Sequence, residues 1–215
     1  MTETPHQYSV ANPSVKRTAA VAGTRYRGLF ALEHGKLAYR ADFVLYGIAA
    51  AVLASVWAAS LLMVNARMER LELAALAVVG LASWTLIEYI LHRFLLHGVQ
   101  PFCRWHAEHH QRPRALICTP TIFSSSLIAL LIFLPAWALS DALHACALTF
   151  GVLSGYLAYS VTHHATHHWR ANNAWLNERK RWHALHHHHG EHPAYFGLTS
   201  GFWDQVFGTA GRDRQ

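Results

Sequence analysis

The chain is 215 residues long, enough for one domain with its own core, and carries a net charge of +6. Hydrophobic residues make up 53% and charged residues only 14%, against roughly a quarter charged in soluble domains, which argues against a soluble globular protein. Basic residues flank apolar runs instead of forming one stripe, and no base-stacking motif accompanies them, which excludes a nucleic-acid partner.

Residues 1–40 are polar and broken by Pro5, Pro13, Gly23, Gly28 and Gly35, and read as an N-terminal surface segment. They hold no continuous apolar run, so no cleavable signal peptide is expected and the first span directs insertion. Residues 41–215 read as one membrane domain. Its first span, 41–64, is ADFVLYGIAAAVLASVWAASLLMV, long enough to cross a hydrocarbon core of about 30 Å. A charged link, 65–70, precedes a second apolar stretch, 71–97, whose last third turns polar and bears histidines. Residues 98–120 read as irregular and basic, interrupted by Gly98, Pro101, Pro113 and Pro120. A third span covers 121–139, Ser140–Asp141 marks a turn, and a fourth covers 142–168. Residues 169–215 are soluble in character, aromatic and basic, and join 98–120 in a cap.

The fold expected is all-α and integral to a membrane, with four transmembrane helices arranged as two hairpins. The long segments share one side, and their Lys and Arg content places it in the cytosol. Arg67 and Arg70 in a short link count against that orientation, with Glu69 and Glu72 beside them. A soluble helical bundle is disfavoured because the spans are uniformly apolar and near 20–25 residues. Cys103, Cys118 and Cys146 form no paired spacing, so a disulfide framework is not expected.

Eighteen histidines are the compositional outlier. Four clusters matter: His92 and His97; His106, His109 and His110; His163 and His167; His183, His186 and His187. Residues three or four apart share a helix face, so H-x-x-H-H and H-x-x-x-H aim imidazoles at a common point. His92 and His97 are five apart, about 500° of rotation, and converge only if the helix ends or loosens between them, as Gly98 allows in its last turn. His92, counted from Leu71, and His163, counted from Ala142, each lie about 32 Å along their helices. Both helices thus deliver imidazoles to the same membrane face, where the cap carries the other two clusters.

Ten histidines exceed what one metal needs, and point to two. No C-x-x-C offers thiolates, and imidazole alone leaves iron, zinc, copper and nickel open. One H-x-x-H pair is as often structural as ligating; four clusters delivered to one face are not. His6, His34 and His144 are assigned no role. His164, His168, His188, His189 and His192 neighbour the clusters as supporting groups, spare ligands or solvent-facing residues. Glu88, one turn before His92, is a candidate acceptor that orients a ligand imidazole, or else an interfacial carboxylate. Trp84, Trp105, Tyr159 and Phe202 are candidates to line a substrate path, or ordinary packing.

These motifs resemble the fatty acid hydroxylase / sterol desaturase superfamily of membrane di-iron enzymes, whose order is H-x(4)-H, H-x-x-H-H, H-x-x-x-H, H-x-x-H-H. The tail from Phe196 to Thr209, FGLTSGFWDQVFGT, is similar to that family's closing signature and especially to the fatty acid and sphingolipid 2-hydroxylases; its Asp204 joins the supporting candidates. The resemblance, over roughly residues 80–210, implies a four-helix membrane base and a cytosolic cap holding two irons. It also implies O2-dependent hydroxylation of a lipid chain, with zinc accommodated in an isolated preparation. Residues 1–40 are too short for a fused cytochrome b5, so electrons are expected from a separate cytochrome b5- or ferredoxin-like donor. A bacterial inner membrane is the expected location. The short link from His97 to His106 also resembles the β-carotene hydroxylases, and a carotenoid hydroxylase or lipid desaturase is the runner-up. A histidine-rich metal transporter or sensor is the non-enzyme alternative, disfavoured because the spans are apolar at their centres.

Overall fold

The structure, a computed structural model, describes residues 35–117, 119–188 and 194–211; most of the expected N-terminal segment, Cys118, His189 and His192 lie outside them. Helix α1 is Lys36–Met63, and α2, Arg67–Ile90, continues through a wider π-helical turn, Leu91–Leu96. Helix α3 is Phe102–Gln111. Helices α4, Thr121–Ile128, and α5, Leu134–Leu139, flank a second π turn, Ala129–Phe133, in one continuous rod. Helix α6 is Ala142–His168, α7 is Ala174–His188 and α8 is Phe202–Val206. No β-strand forms among the described residues.

Four rods, Lys36–Met63, Arg67–Leu96, Thr121–Leu139 and Ala142–His168, are long and apolar enough to cross a membrane, the shortest rising about 28 Å. They turn large aliphatic side chains outward: Leu62 is 87% and Leu139 89% exposed. Water would not tolerate so continuous an apolar surface, whereas hydrocarbon does, provided the backbone bonds internally as helices do. The chain is a multi-pass membrane protein.

Two boundaries differ from the sequence reading. Helix α1 begins at Lys36 rather than 41, and α2 at Arg67 rather than 71. Lys, Arg and Glu are good helix formers, so the charged residues extend each rod by a turn beyond its apolar part. The segment expected to be irregular, 98–120, contains α3. In the third rod, Pro135 lacks the N–H that α-helical bonding requires, and the ladder widens in the turn before it.

The central packing is α2 against α6, with α1 laid on α6. A β-carbon on Gly80 would collide with the Leu148 carbonyl, and one on Gly151 with the Ala77 carbonyl, so these glycines let the two backbones touch. Trp57 Nε1 donates to the Leu73 carbonyl at 3.1 Å, joining α1 to α2, and Tyr46 meets Ser124 Oγ at 2.6 Å, joining α1 to α4. Asp141 caps α6, its Oδ1 accepting from the Leu143 and His144 amides at 2.7 and 3.1 Å. Because α2 and α6 lie side by side, their histidine-bearing ends meet.

Candidate metal centre

Nine of the ten expected histidines assemble into two groups, each with its ligand nitrogens all within 4.8 Å of one another. The first holds His92, His97, His106, His110 and His186; the second holds His109, His163, His167 and His183. His187 belongs to neither. Its ring stacks on His110 at 4.2 Å between centroids, and its Nε2 lies 3.1 Å from His183 Nε2, on the seam between the groups.

Helical phase explains the partition. On α3, His106 and His110 are four apart and face one group, while His109, about 100° from His110, faces the other. On α7, His183 and His186 divide the same way. An H-x-x-H-H motif therefore serves two points, where the sequence reading expected one. His92 and His97 do converge, with ring centroids 5.4 Å apart, because the π turn between them adds residues per turn and brings the fifth position nearly round.

Backbone carbonyls set two tautomers. His92 Nδ1 donates to the Phe196 carbonyl at 2.6 Å, and His186 Nδ1 to the Ala194 carbonyl at 2.7 Å. A carbonyl only accepts, so each Nδ1 carries the proton and each Nε2 keeps its lone pair. Those lone pairs point inward: His92 Nε2 is 3.0 Å from His106 Nε2, and His186 Nε2 is 3.2 Å from His97 Nε2. Tyr195 stands between the two carbonyls with φ of +57°, a left-handed conformation uncommon for a residue with a β-carbon. It turns the peptides on either side toward the two rings. Its hydroxyl donates to the Gly211 carbonyl at 2.8 Å and its amide to the Thr209 carbonyl at 3.1 Å, which hold it there.

Glu88, read as an imidazole acceptor or an interfacial carboxylate, and Asp204, a supporting candidate, both bind the tail loop instead of an imidazole. Glu88 accepts from the Leu198 and Thr199 amides and the Thr199 hydroxyl, pinning the tail to α2. Asp204 accepts from the Phe196 amide at 2.8 Å, the Gly197 amide at 2.7 Å and Thr209 Oγ1 at 2.7 Å. The carboxylates hold the loop, and the loop's carbonyls hold the imidazoles. Main-chain oxygens carry no residue signature, so the roles of Ala194 and Phe196 were invisible in the sequence; the run of glycines and aromatics around them is the one hint of a tightly shaped loop.

Of the flanking histidines, His164 points away from both groups, its Nδ1 3.1 Å from the Tyr39 hydroxyl and its ring stacked on His168. His168 and His188 are exposed. Phe202, read as a substrate-path candidate or ordinary packing, is 56% exposed and is not among the residues lining the cavity between the rods. Trp84, Trp105 and Tyr159 do line it, with His92, His106, His109 and His163 at its inner end and Leu91, Leu95, Leu96, Ile117 and Leu127 along its walls.

Many imidazoles share a buried space with no carboxylate among them. Burial, reinforced by the neighbouring rings, pushes His97 down to about 4, His110 to about 3 and His109 to about 2. His106, His183, His186 and His187 are lowered by burial as well. At neutral pH these rings are uncharged and offer lone pairs, which suits a divalent cation and the nitrogen-preferring metals. Lone-pair nitrogens aimed at one another at about 3 Å are repulsive unless a proton or a cation lies between them, and the donor set fits two metal ions.

Residues 77–209 match the fatty acid hydroxylase family. The chain is similar to the ceramide very long chain fatty acid hydroxylase scs7 of Schizosaccharomyces pombe, at 35% identity over 153 residues, 62% of this chain and 42% of that protein. It is similar to the dihydroceramide fatty acyl 2-hydroxylase FAH2 of Arabidopsis thaliana, at 33% identity over 64% of this chain and 61% of that protein. It therefore spans about two fifths to three fifths of these relatives. A solved structure of full-length Scs7p, with only the hydroxylase domain visible, is similar at a TM-score of 0.69 and 27% identity, over 86% of this chain and 69% of that one. The match from mid-α2 to Thr209 takes in all ten histidines and the loop that braces them, and on it the chain belongs to the fatty acid hydroxylase family.

Proposed function

We propose that the chain is an O2-dependent, di-iron hydroxylase of a membrane-lipid acyl chain, attacking the carbon next to the acyl carbonyl. The observation that carries this is the seating of two imidazole groups at the inner end of a largely apolar cavity between membrane rods. Relatives named for ceramide fatty acids and for the 2-position of dihydroceramide acyl chains support the substrate class.

The residues that would hold one ion are His92, His97, His106, His110 and His186; those for the other are His109, His163, His167 and His183, joined by His187. Iron bound there would activate O2 toward an aliphatic C–H bond, and zinc fits the same nitrogens in an isolated preparation. The chain's own part is placement. Leu91, Leu95, Leu96 and Leu127 would exclude water and pack on the acyl chain, while Tyr159 lies parallel to His163 at 5.9 Å between centroids on the cavity wall. The tail loop keeps His92 and His186 in their donating tautomers.

Inserting one oxygen atom and releasing the other as water takes two electrons and two protons. A separate cytochrome b5- or ferredoxin-like protein would deliver the electrons at the cap. We place that cap in the cytosol, residues 1–40 as a surface segment, and residues 41–215 as a hydroxylase domain of two membrane hairpins in a bacterial inner membrane. The supporting pattern is the basic residues on the segments that flank the long rods.

The test is expression in a bacterial host with a reducing partner, followed by lipid mass analysis. Lipids that gain one oxygen, and lose that gain on His106→Ala, support the reading. Loss of two hydrogens would instead indicate desaturation, and an unchanged lipid profile would refute it.

A further inference from the structure

Beside the histidine cavity, on the outside of the rods, lies a second cavity of about 610 Å³ lined by Lys36, Arg40, Val44, Leu116, Val161 and Trp169, with His164 at its edge. The two cavities share two residues, Tyr39 and Phe43, which line both. The inner cavity is about 160 Å³, below the roughly 300–1,000 Å³ of pockets that enclose a whole small molecule. It has room for a segment of an acyl chain and not for a lipid, so the remainder of a bound lipid must lie outside it.

The geometry points to the outer groove as a lateral portal, through which a phospholipid of the surrounding bilayer presents the carboxyl end of its acyl chain between Tyr39 and Phe43 while the rest of the chain stays in the bilayer. This rests on the lipid-hydroxylase reading above and names how its substrate is admitted. The helical period puts residues 36, 39, 40, 43 and 44 on one stripe of α1, so the cations and the aromatic pair face the same groove. Lys36 and Arg40 are exposed like charges one turn apart, and among the described residues neither makes an ion pair. An anionic phosphate at the membrane surface relieves that repulsion, as juxtamembrane cations do with acidic lipids. Below the cations the wall turns aliphatic through Val44 and Val161, which suits the chain.

The dividing wall is built to part. Tyr39 and Phe43 meet edge to face at 5.3 Å, and both rest on His164, at 5.6 and 6.0 Å between centroids. The Tyr39 hydroxyl reaches His164 Nδ1 at 3.1 Å. These are side-chain contacts near the start of α1, and in the proposed portal the two rings turn aside to admit the chain. His164, outside both metal groups, thereby has a place as the rest for the gate.

The full-length protein in nanodiscs supplies the test. Zwitterionic phosphatidylcholine discs receive a few per cent of a diazirine-bearing phosphatidylglycerol or, in parallel, a diazirine-bearing phosphatidylcholine. Labelled peptides are mapped after illumination. Several-fold stronger labelling of the α1 start and the Val161–Trp169 region by the anionic probe is expected, abolished in Lys36→Glu/Arg40→Glu and retained in Lys36→Arg/Arg40→Lys. His106→Ala, inactive under the proposed function, keeps the labelling, so loss of chemistry and loss of the portal are read separately. Tyr39→Trp and Phe43→Trp, with metal content unchanged, are expected to lower kcat/KM by about tenfold. Labelling spread evenly over all four rods, or indifferent to head-group charge, overturns the portal even if the enzyme hydroxylates normally.

Discussion

Asp204 makes no hydrogen bond to any of the ten histidines, yet replacing it should weaken the metal centre. Its carboxylate is 1% exposed and accepts from two amides and a hydroxyl at 2.7–2.8 Å. A buried donor left unpaired costs about 1–3 kcal/mol. Asp204→Ala strands the Phe196 and Gly197 amides, whereas Thr209 Oγ1 keeps the Tyr89 hydroxyl 3.1 Å away, so about 2–6 kcal/mol is the expected loss, relaxation of the loop pulling it toward the lower end. Asp204→Asn keeps one accepting oxygen but turns an amide N–H toward a donor it formerly satisfied, for about 2 kcal/mol. The loop it shapes supplies the Ala194 and Phe196 carbonyls, and losing such partners typically lowers metal affinity about 10–100-fold. Metal content per chain after dialysis against a graded chelator, on detergent-purified protein, measures this. Asp204→Asn should release metal at lower chelator concentration than the parent while retaining its helical circular dichroism. Equal retention by Asp204→Asn and the parent would refute the chain from carboxylate to loop to carbonyl to imidazole.

Gly151→Ala should lower the thermal midpoint in detergent, because its β-carbon strikes the Ala77 carbonyl; Gly47→Ala, with nothing within 4 Å, should not. Chelator-stripped protein should lose stability as pH falls from about 6.5 toward 4, since the unfolded chain binds protons there while the folded His97, lowered to about 4, and His110, lowered to about 3, do not. Above about 6.5 these rings are neutral in both states and stability should be flat; thermal scans across pH with and without metal read both limbs, and a stripped protein indifferent to pH between 4 and 6.5 refutes it. His183→Ala should lose about one metal per chain, whereas His187→Ala, on the seam between the groups, should hold both with weaker affinity; elemental analysis showing the reverse order refutes the partition.

Much of the architecture was legible locally. Rod length and apolar composition are properties of contiguous residues, so spans at 121–139 and 142–168 could be read directly, and the charged ends of α1 and α2 were missed only because apolarity, not helicity, was being counted. Convergence of the four histidine clusters followed from depth along rods of known rise. The looseness needed between His92 and His97 was foreseen from their spacing, although the structure supplies it as a π turn and not as an early helix end.

What the sequence by itself determined is therefore which rods are long and apolar enough to cross the membrane, which imidazoles gather at their ends, and that these exceed what one metal ion would use. Tertiary structure decided how the ten divide: His109 parts from His106 and His110, and His187 falls on the seam. It also decided that Glu88 and Asp204 act on the tail loop, that Phe202 lies outside the cavity, and that Tyr39 and Phe43 stand between two chambers. The physical reason is one of range. Helical rise and apolarity add up residue by residue along the chain, whereas the Glu88 partner Leu198, 110 residues away, and the Phe196 carbonyl, 104 residues from His92, are brought into place only by packing.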